Sequence, residues 1–179
     1  HRAAVLPDHP ALLADGAVWS FAELNELATR MARRLLAQGA QPGERAALLL
    51  RNSPALVGLL HAAPRVPVAL VPLNTRLAPA ELAWQLGDSG AATLLYDADN
   101  ADLAARALAL CARPPQAWVL EDAPHDTPSG NMPPLAAALC DTIDLDAVFA
   151  IIYTSGTTGR PKGAMLTYGN FWWSAVGSA

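Results

Sequence analysis

The sequence predicts an α/β fold with alternating β and α segments and a mostly parallel sheet. Three observations predict it. Short apolar runs alternate with amphipathic stretches along most of the 179 residues. Gly, Pro, Ser and Asn stand between them as turn and cap residues. Hydrophobic residues make up 53% and charged residues 16%, which excludes a disordered chain and suits strands buried on both faces.

The elements follow in order. Ser20-Phe21-Ala22-Glu23 has the form of a capping box, and Leu24, Leu27, Ala28, Met31 and Leu35 recur behind it at helical spacing. Gly39 suits the helix end, and Pro42-Gly43 a turn. Residues 45–50 read as a buried strand. Ser53-Pro54 is an N-cap followed by Pro at the first helical position, and Leu56, Leu59, Leu60 and Ala63 form the buried face behind it. Residues 68–73 read as the next strand. Pro79 opens a helix towards Leu86, with Gly87 and Gly90 closing it. Strands over 93–96 and 117–120 flank a helix over 102–111. Four prolines between 121 and 140 mark a surface excursion. A strongly apolar strand over 147–153 then leads into a Gly/Thr-rich loop over 155–163. Asn170 suits the cap of a last helix starting near Phe171. That helix has no stop signal and a partly built apolar face, which suggests the N-terminal portion of a longer protein.

Composition excludes several functions. Lys plus Arg is 12 and Asp plus Glu is 16, a net charge of −4, which argues against non-specific nucleic-acid binding. No apolar run approaches the ~20 residues of a membrane helix, and no signal peptide opens the chain. Cys111 and Cys140 lack metal-ligand spacing and read as reduced, mostly buried thiols of a cytoplasmic protein. His9, His61 and His125 share no ligand spacing, and His61 reads as a core or rim residue. Asp97-Ala98-Asp99-Asn100-Ala101-Asp102 fails the calcium-loop pattern, with Asp102 and Leu108 where Gly and Glu belong. It reads as a solvated turn and helix N-cap. Asp141, Asp144 and Asp146 read as a solvated edge. Trp172 and Trp173 read as core or interface aromatics.

One segment carries chemistry: Tyr153-Thr154-Ser155-Gly156-Thr157-Thr158-Gly159-Arg160-Pro161-Lys162-Gly163. Gly156, Gly159 and Gly163 permit close backbone approach to a ligand. Thr154, Ser155, Thr157 and Thr158 add four hydroxyls. Of the 12 basic residues 11 are Arg, so Lys162 is the one Lys of the chain. A compact ammonium among hydroxyls and free amides makes a polyphosphate cradle. The spacing is neither that of a Walker A loop nor of a dinucleotide fingerprint. Arg160 reads as solvent-facing.

Thr154 to Gly163 resembles, without departure, the phosphate-binding signature of the AMP-forming adenylating enzymes. These include acyl-CoA synthetases, luciferases and peptide-synthetase adenylation domains. The resemblance covers the whole chain. Trp19-Ser20-Phe21-Ala22-Glu23-Leu24 is similar to the family's opening helix, and Val71-Pro72-Leu73-Asn74-Thr75-Arg76-Leu77 to the segment after its second core strand. Pro64-Arg65-Val66-Pro67 departs from the small Gly-containing turn usual before that strand. Residues 166–178 resemble the 2-succinylbenzoate–CoA ligase branch, a menaquinone-biosynthesis branch of the family.

The resemblance implies an ATP-dependent acid–CoA ligase that makes an acyl-adenylate and then a CoA thioester, with 2-succinylbenzoate as the favoured acid. It makes residues 1–179 the N-terminal portion of the large domain. It gives Lys162 the role of stabilising phosphate charge in catalysis, and it places Thr154, Ser155, Gly156, Thr157, Thr158 and Gly159 with Lys162 around ATP. Mg²⁺ would bridge the phosphates through a ligand outside this chain, with CoA as co-substrate. On this reading the acid and CoA sites lie mostly beyond residue 179, and the chain alone is inactive. The alternatives are a fatty-acid or aryl-acid CoA ligase of the same family, a non-catalytic nucleotide-binding module, and a plain interaction domain.

Overall fold

The computed structural model describes residues 2–120, 140, 142–155 and 160–178. A short helix α1 (Arg2–Val5) precedes a two-stranded antiparallel hairpin, β1 (Pro10–Ala14) and β2 (Ala17–Ser20). Then come α2 (Phe21–Ala37), β3 (Arg45–Leu49), α3 (Pro54–Ala62), β4 (Ala69–Pro72), α4 (Pro79–Ser89), β5 (Thr93–Tyr96), α5 (Ala101–Leu108) and β6 (Gln116–Val119). The chain closes with β7 (Val148–Thr154), β8 (Lys162–Thr167) and α6 (Tyr168–Gly177). The main sheet has six strands in the order β6-β5-β3-β4-β7-β8. The first five run parallel, and β8 lies antiparallel to β7 at the edge. The expected α/β class with a mostly parallel sheet is what forms.

Alternation along the central strands builds the two sides of the core. Ala46 and Leu48 of β3 and Leu70 of β4 pack with Leu27, Met31 and Leu35 of α2 and Leu59 and Ala62 of α3. Ala47 and Leu49 of β3 and Val71 of β4 pack with Leu82 and Leu86 of α4 and Ala104 and Ala107 of α5. Successive side chains of a strand point to opposite faces, so two helix layers cover one sheet.

Local chemistry sets the helix ends. The Ser20 Oγ accepts from the Glu23 amide at 3.2 Å, while Glu23 Oε2 accepts from the Ser20 amide at 2.7 Å. Ser53 caps α3, and its Oγ accepts from the Leu56 amide at 3.3 Å. Gly90 ends α4 at φ 59°. The Arg45 guanidinium donates to the carbonyls of Ser89 at 3.0 Å and Gly90 at 2.7 Å, placing a cation at the α4 C-terminus. Asp97 is buried, and its carboxylate accepts from the amides of Arg51 at 2.7 Å and Asn100 at 3.0 Å. A turn and cap do form at the Asp-rich segment, with Asp97 capping a 3-10 turn over Ala98–Asn100, but Asp97 and Asn100 are buried there and not solvated. α2 and α3 touch closely at Gly58, where a Cβ would lie 2.7 Å from Leu27 Cγ. The unusual Arg65 fastens the turn before β4 to α2, donating to Thr29 Oγ1 at 2.5 Å and Asn25 Oδ1 at 2.9 Å.

Several expectations change. The β1–β2 hairpin was not anticipated; Asp15 and Gly16, at φ 51° and 77°, make its tight turn. Gly87 lies inside α4 and does not close it. Asn170 is not the cap of α6. Thr167 is, and its Oγ1 accepts from the Asn170 amide at 3.2 Å while Asn170 Oδ1 accepts from the Thr167 amide at 2.9 Å. Trp172 and Trp173 are 57% and 69% exposed, so neither is a core residue. Cys140 is exposed and Cys111 half-buried. His61 is exposed at the end of α3. Asp144 and Asp146 are exposed as expected. The excursion over 121–139 and Asp141 lie outside the described residues.

Candidate functional site: the open end of β7 and β8

The site forms where two adjacent parallel strands send their chains apart. β4 exits through Asn74 and Leu77 towards α4, whereas β7 exits through Ser155 towards β8. Open α/β sheets bind ligands in such a crevice, beyond the carboxyl ends of strands with divergent connections. A cleft of about 340 Å³ lies there. Pro72, Asn74 and Leu77 line one side, Ile152 to Ser155 and Pro161 the other, with Glu81 and Gln85 of α4 completing it.

Lys162 belongs to the opening residue of β8, not to the loop. Gly163 is likewise a strand residue. The β7–β8 register pairs Thr154 with Lys162 and Tyr153 with Gly163. The Thr154 hydroxyl donates to the Lys162 carbonyl at 3.5 Å. Residues paired directly across an antiparallel ladder share a face. The lysine therefore stands beside the first loop hydroxyl through the ladder, and loop closure need not bring it there. Thr154, Ser155, Arg160 and Lys162 are all exposed. Among the described residues no carboxylate pairs with Lys162. Gly156, Thr157, Thr158 and Gly159 lie outside the described residues.

Two features of the cleft were not visible as site residues in the sequence. Gln85 is 3% exposed, and its Oε1 is buried with no hydrogen-bond partner among the described residues. Tyr153 fastens the end of β7 to α4: its hydroxyl donates to Asp88 Oδ2 at 2.7 Å, and its ring meets Trp84 edge-on at 5.8 Å. Burial first, then the Asp88 carboxylate, pushes the Tyr153 pKa up, so its hydroxyl keeps its proton. The sequence signal was the alternation of β7, which places Ile151 and Tyr153 on the α4 side. Asp88, 65 positions away, which accepts that hydrogen bond, leaves no local trace.

The described residues hold no cluster of three His, Cys, Asp or Glu side chains that could cage a metal. A hydrated Mg²⁺ that arrives with nucleotide phosphates needs few protein ligands, and the donors described here are compatible with such an ion. No helix among the described residues is long and apolar enough to cross a membrane.

These features define an α/β protein whose mostly parallel sheet ends in a cleft lined by Thr154 and Ser155, with Lys162 paired to Thr154. The family model for the AMP-binding enzymes matches residues 1–179. The chain belongs to the AMP-binding enzyme family. It is 38% identical over 181 residues to a 2-succinylbenzoate–CoA ligase of Geobacillus kaustophilus, covering 99% of this chain and 34% of that protein. It is 39% identical over 178 residues to a feruloyl-CoA synthase of an Amycolatopsis species, covering 98% and 33%. The solved o-succinylbenzoate CoA synthetase of Bacillus subtilis matches with a TM-score of 0.85 at 33% identity in a double mutant bound to a product analogue, over 99% of this chain and 34% of that one. The form of that enzyme in complex with ATP and magnesium ion matches at 0.80 and 32%, over 99% and 45%. The chain thus spans about a third of the length of the curated relatives it matches.

Proposed function

We propose that the protein carrying this chain is an AMP-forming acid–CoA ligase, and that the open end of β7 and β8 holds the phosphates of ATP. The observation that carries the reading is the pairing of Thr154 with Lys162 at the mouth of a strand-end cleft. In the first step a carboxylate oxygen attacks the α-phosphorus, and pyrophosphate departs with the electrons of the broken P–O bond. CoA sulfur then attacks the acyl carbon and AMP leaves. Charge grows on the pyrophosphate oxygens in the first step. An ammonium fixed near them stabilises that charge more than it stabilises bound ATP, which accelerates the step. Lys162 has this role.

Thr154 and Ser155 offer hydroxyl donors to the same oxygens. Gly156, Thr157, Thr158 and Gly159 complete the cradle in this reading. Mg²⁺, when bound with the nucleotide, would neutralise phosphate charge. The similarity to a synthetase solved with ATP and magnesium supports both assignments.

For the acid we propose 2-succinylbenzoate. The likeness to 2-succinylbenzoate–CoA ligases, in sequence and in fold, supports it. Feruloyl-CoA synthase, at similar identity, favours an aryl acid as the second reading. The contacts that choose the acid and hold CoA lie mostly outside residues 1–179 in this proposal. The protein works on small molecules in the cytoplasm.

The test supplies purified full-length gene product with ATP, Mg²⁺, CoA and one acid at a time: 2-succinylbenzoate, ferulate, benzoate or a fatty acid. Mass spectrometry of the thioester is the readout. The 2-succinylbenzoyl thioester should form fastest. A faster feruloyl thioester would keep the class and replace the acid, and no thioester with any acid would remove the ligase reading.

A further inference from the structure

We infer that Tyr153 and Asp88 form a positioning pair that sets the open end of β7 and β8, and thereby the reach of Thr154 and Lys162 towards the phosphates. The inference rests on the phosphate reading of the site. Neither residue touches the phosphates in it; both act through the strand ends.

Four contacts converge on Tyr153. Its hydroxyl donates to Asp88 Oδ2 at 2.7 Å and lies 3.4 Å from the Gln85 carbonyl. Its ring packs edge-on against Trp84, with the planes at 77°. These partners all belong to α4, so the helix grips the tyrosine at tip and side. The fourth contact is on β8. A Cβ at Gly163 would lie 3.3 Å from Tyr153 Cζ and 2.8 Å from Ile151 Cγ2. The β8 backbone therefore lies close against the ring, directly after Lys162.

The consequence is geometric. Tyr153 immediately precedes Thr154, and Gly163 immediately follows Lys162. The ring thus links α4 to both strands one residue inside the Thr154–Lys162 pair. Lys162 itself has no carboxylate among the described residues to hold it. Its placement depends on the β8 backbone, and that backbone rests on a tyrosine whose tip is tethered. A small displacement of a catalytic cation costs rate more than affinity when its main work is on charge that develops during reaction.

The experiment uses the full-length protein in ATP–pyrophosphate exchange, with Tyr153→Phe, Asp88→Ala, Asp88→Asn and Lys162→Ala. Tyr153→Phe keeps the ring and removes only the donor. Asp88→Asn retains an acceptor oxygen, and Asp88→Ala does not. Tyr153→Phe and Asp88→Ala should each lower kcat about tenfold with little change in the KM for ATP, and Asp88→Asn should recover it to within about twofold. Amide hydrogen exchange at Lys162 and Gly163 should quicken in the two defective variants and not in Asp88→Asn. Full kcat in Tyr153→Phe and Asp88→Ala, or unchanged amide exchange, overturns the pair. So does a fall in melting temperature with kcat intact, which marks a merely structural tyrosine. Should Tyr153→Phe not fold, Asp88→Ala against Asp88→Asn, at an exposed position, decides the matter. Exchange that survives Lys162→Ala is a different result: it removes the phosphate reading itself. Loss in Lys162→Ala with full rate in Tyr153→Phe and Asp88→Ala removes only the pair.

Discussion

Replacement of Lys162 by Ala should lower acid-dependent ATP–pyrophosphate exchange by about 10²- to 10³-fold, the range for losing one preorganised stabiliser of developing charge. The lysine is exposed and makes no ion pair among the described residues, so the variant should fold as the parent does. Circular dichroism spectra and melting temperatures of the two proteins check this. Lys162→Arg is the more informative companion. Eleven of the 12 basic residues are Arg, so an Arg at an ordinary surface position would cost nothing. At the mouth of the cleft the guanidinium is wider, planar and less concentrated in charge than an ammonium. Lys162→Arg should therefore recover only a small part of the lost exchange. Full recovery would mean that any cation serves there.

The largest effect on stability should come from Leu59→Ala. Leu59 is fully buried between α3 and the sheet, in the cluster formed with α2, β3 and β4. Truncation removes a methine and two methyl carbons and leaves a cavity in a close-packed interior, a loss of about 2 to 5 kcal/mol. Single domains are stable by only about 5 to 15 kcal/mol, so urea unfolding should show a midpoint far below that of the parent. A shift no larger than that of an exposed substitution such as Leu60→Ala would contradict the packing of α3. Leu59 is remote from the cleft in sequence and layer. Whatever Leu59→Ala protein remains folded should keep the exchange rate of the parent per folded molecule.

The parts of the fold that were legible in the sequence are those in which burial and local chemistry agree. β3, β4 and β5 are covered on both faces, so they appear as apolar runs, and their limits fall within a residue or so of those expected. α2 was legible from Ser20 and Glu23 together with the stripe from Leu24 to Leu35. Elements formed by hydrogen-bond ladders with little burial were not legible. Lys162, Gly163, Ala164 and Met165 are exposed, so β8 has neither an apolar run nor clean alternation, and it reads as loop. Pairing with β7 makes it a strand. The β1–β2 hairpin likewise has no buried residue, yet Asp15-Gly16 was a usable turn signal that went unread. Asn170 was mistaken for a cap because the reciprocal partner of Thr167 is an Asn, where Glu or Gln is the familiar residue.

The candidate site divides in the same way. Thr154, Ser155 and Lys162 were legible because residue type and spacing are local. Placing Lys162 opposite Thr154 required the β7–β8 register. Asn74 and Leu77 lay in a segment noted for family likeness alone, and the structure sets them across the cleft from Thr154. Gln85 and Asp88 reach the site only through the packing of α4 against β7, a contact between segments more than 60 residues apart.

Isotope exchange between pyrophosphate and ATP tests the central claim most directly. It requires only the first chemical step, so CoA is omitted and the full-length protein is given ATP, Mg²⁺, labelled pyrophosphate and 2-succinylbenzoate. Label should enter ATP only when the acid is present, and Lys162→Ala should reduce its entry by about 10²- to 10³-fold. No acid-dependent label in ATP, from a folded protein that binds the nucleotide, would contradict adenylate formation and leave a nucleotide-binding module in its place.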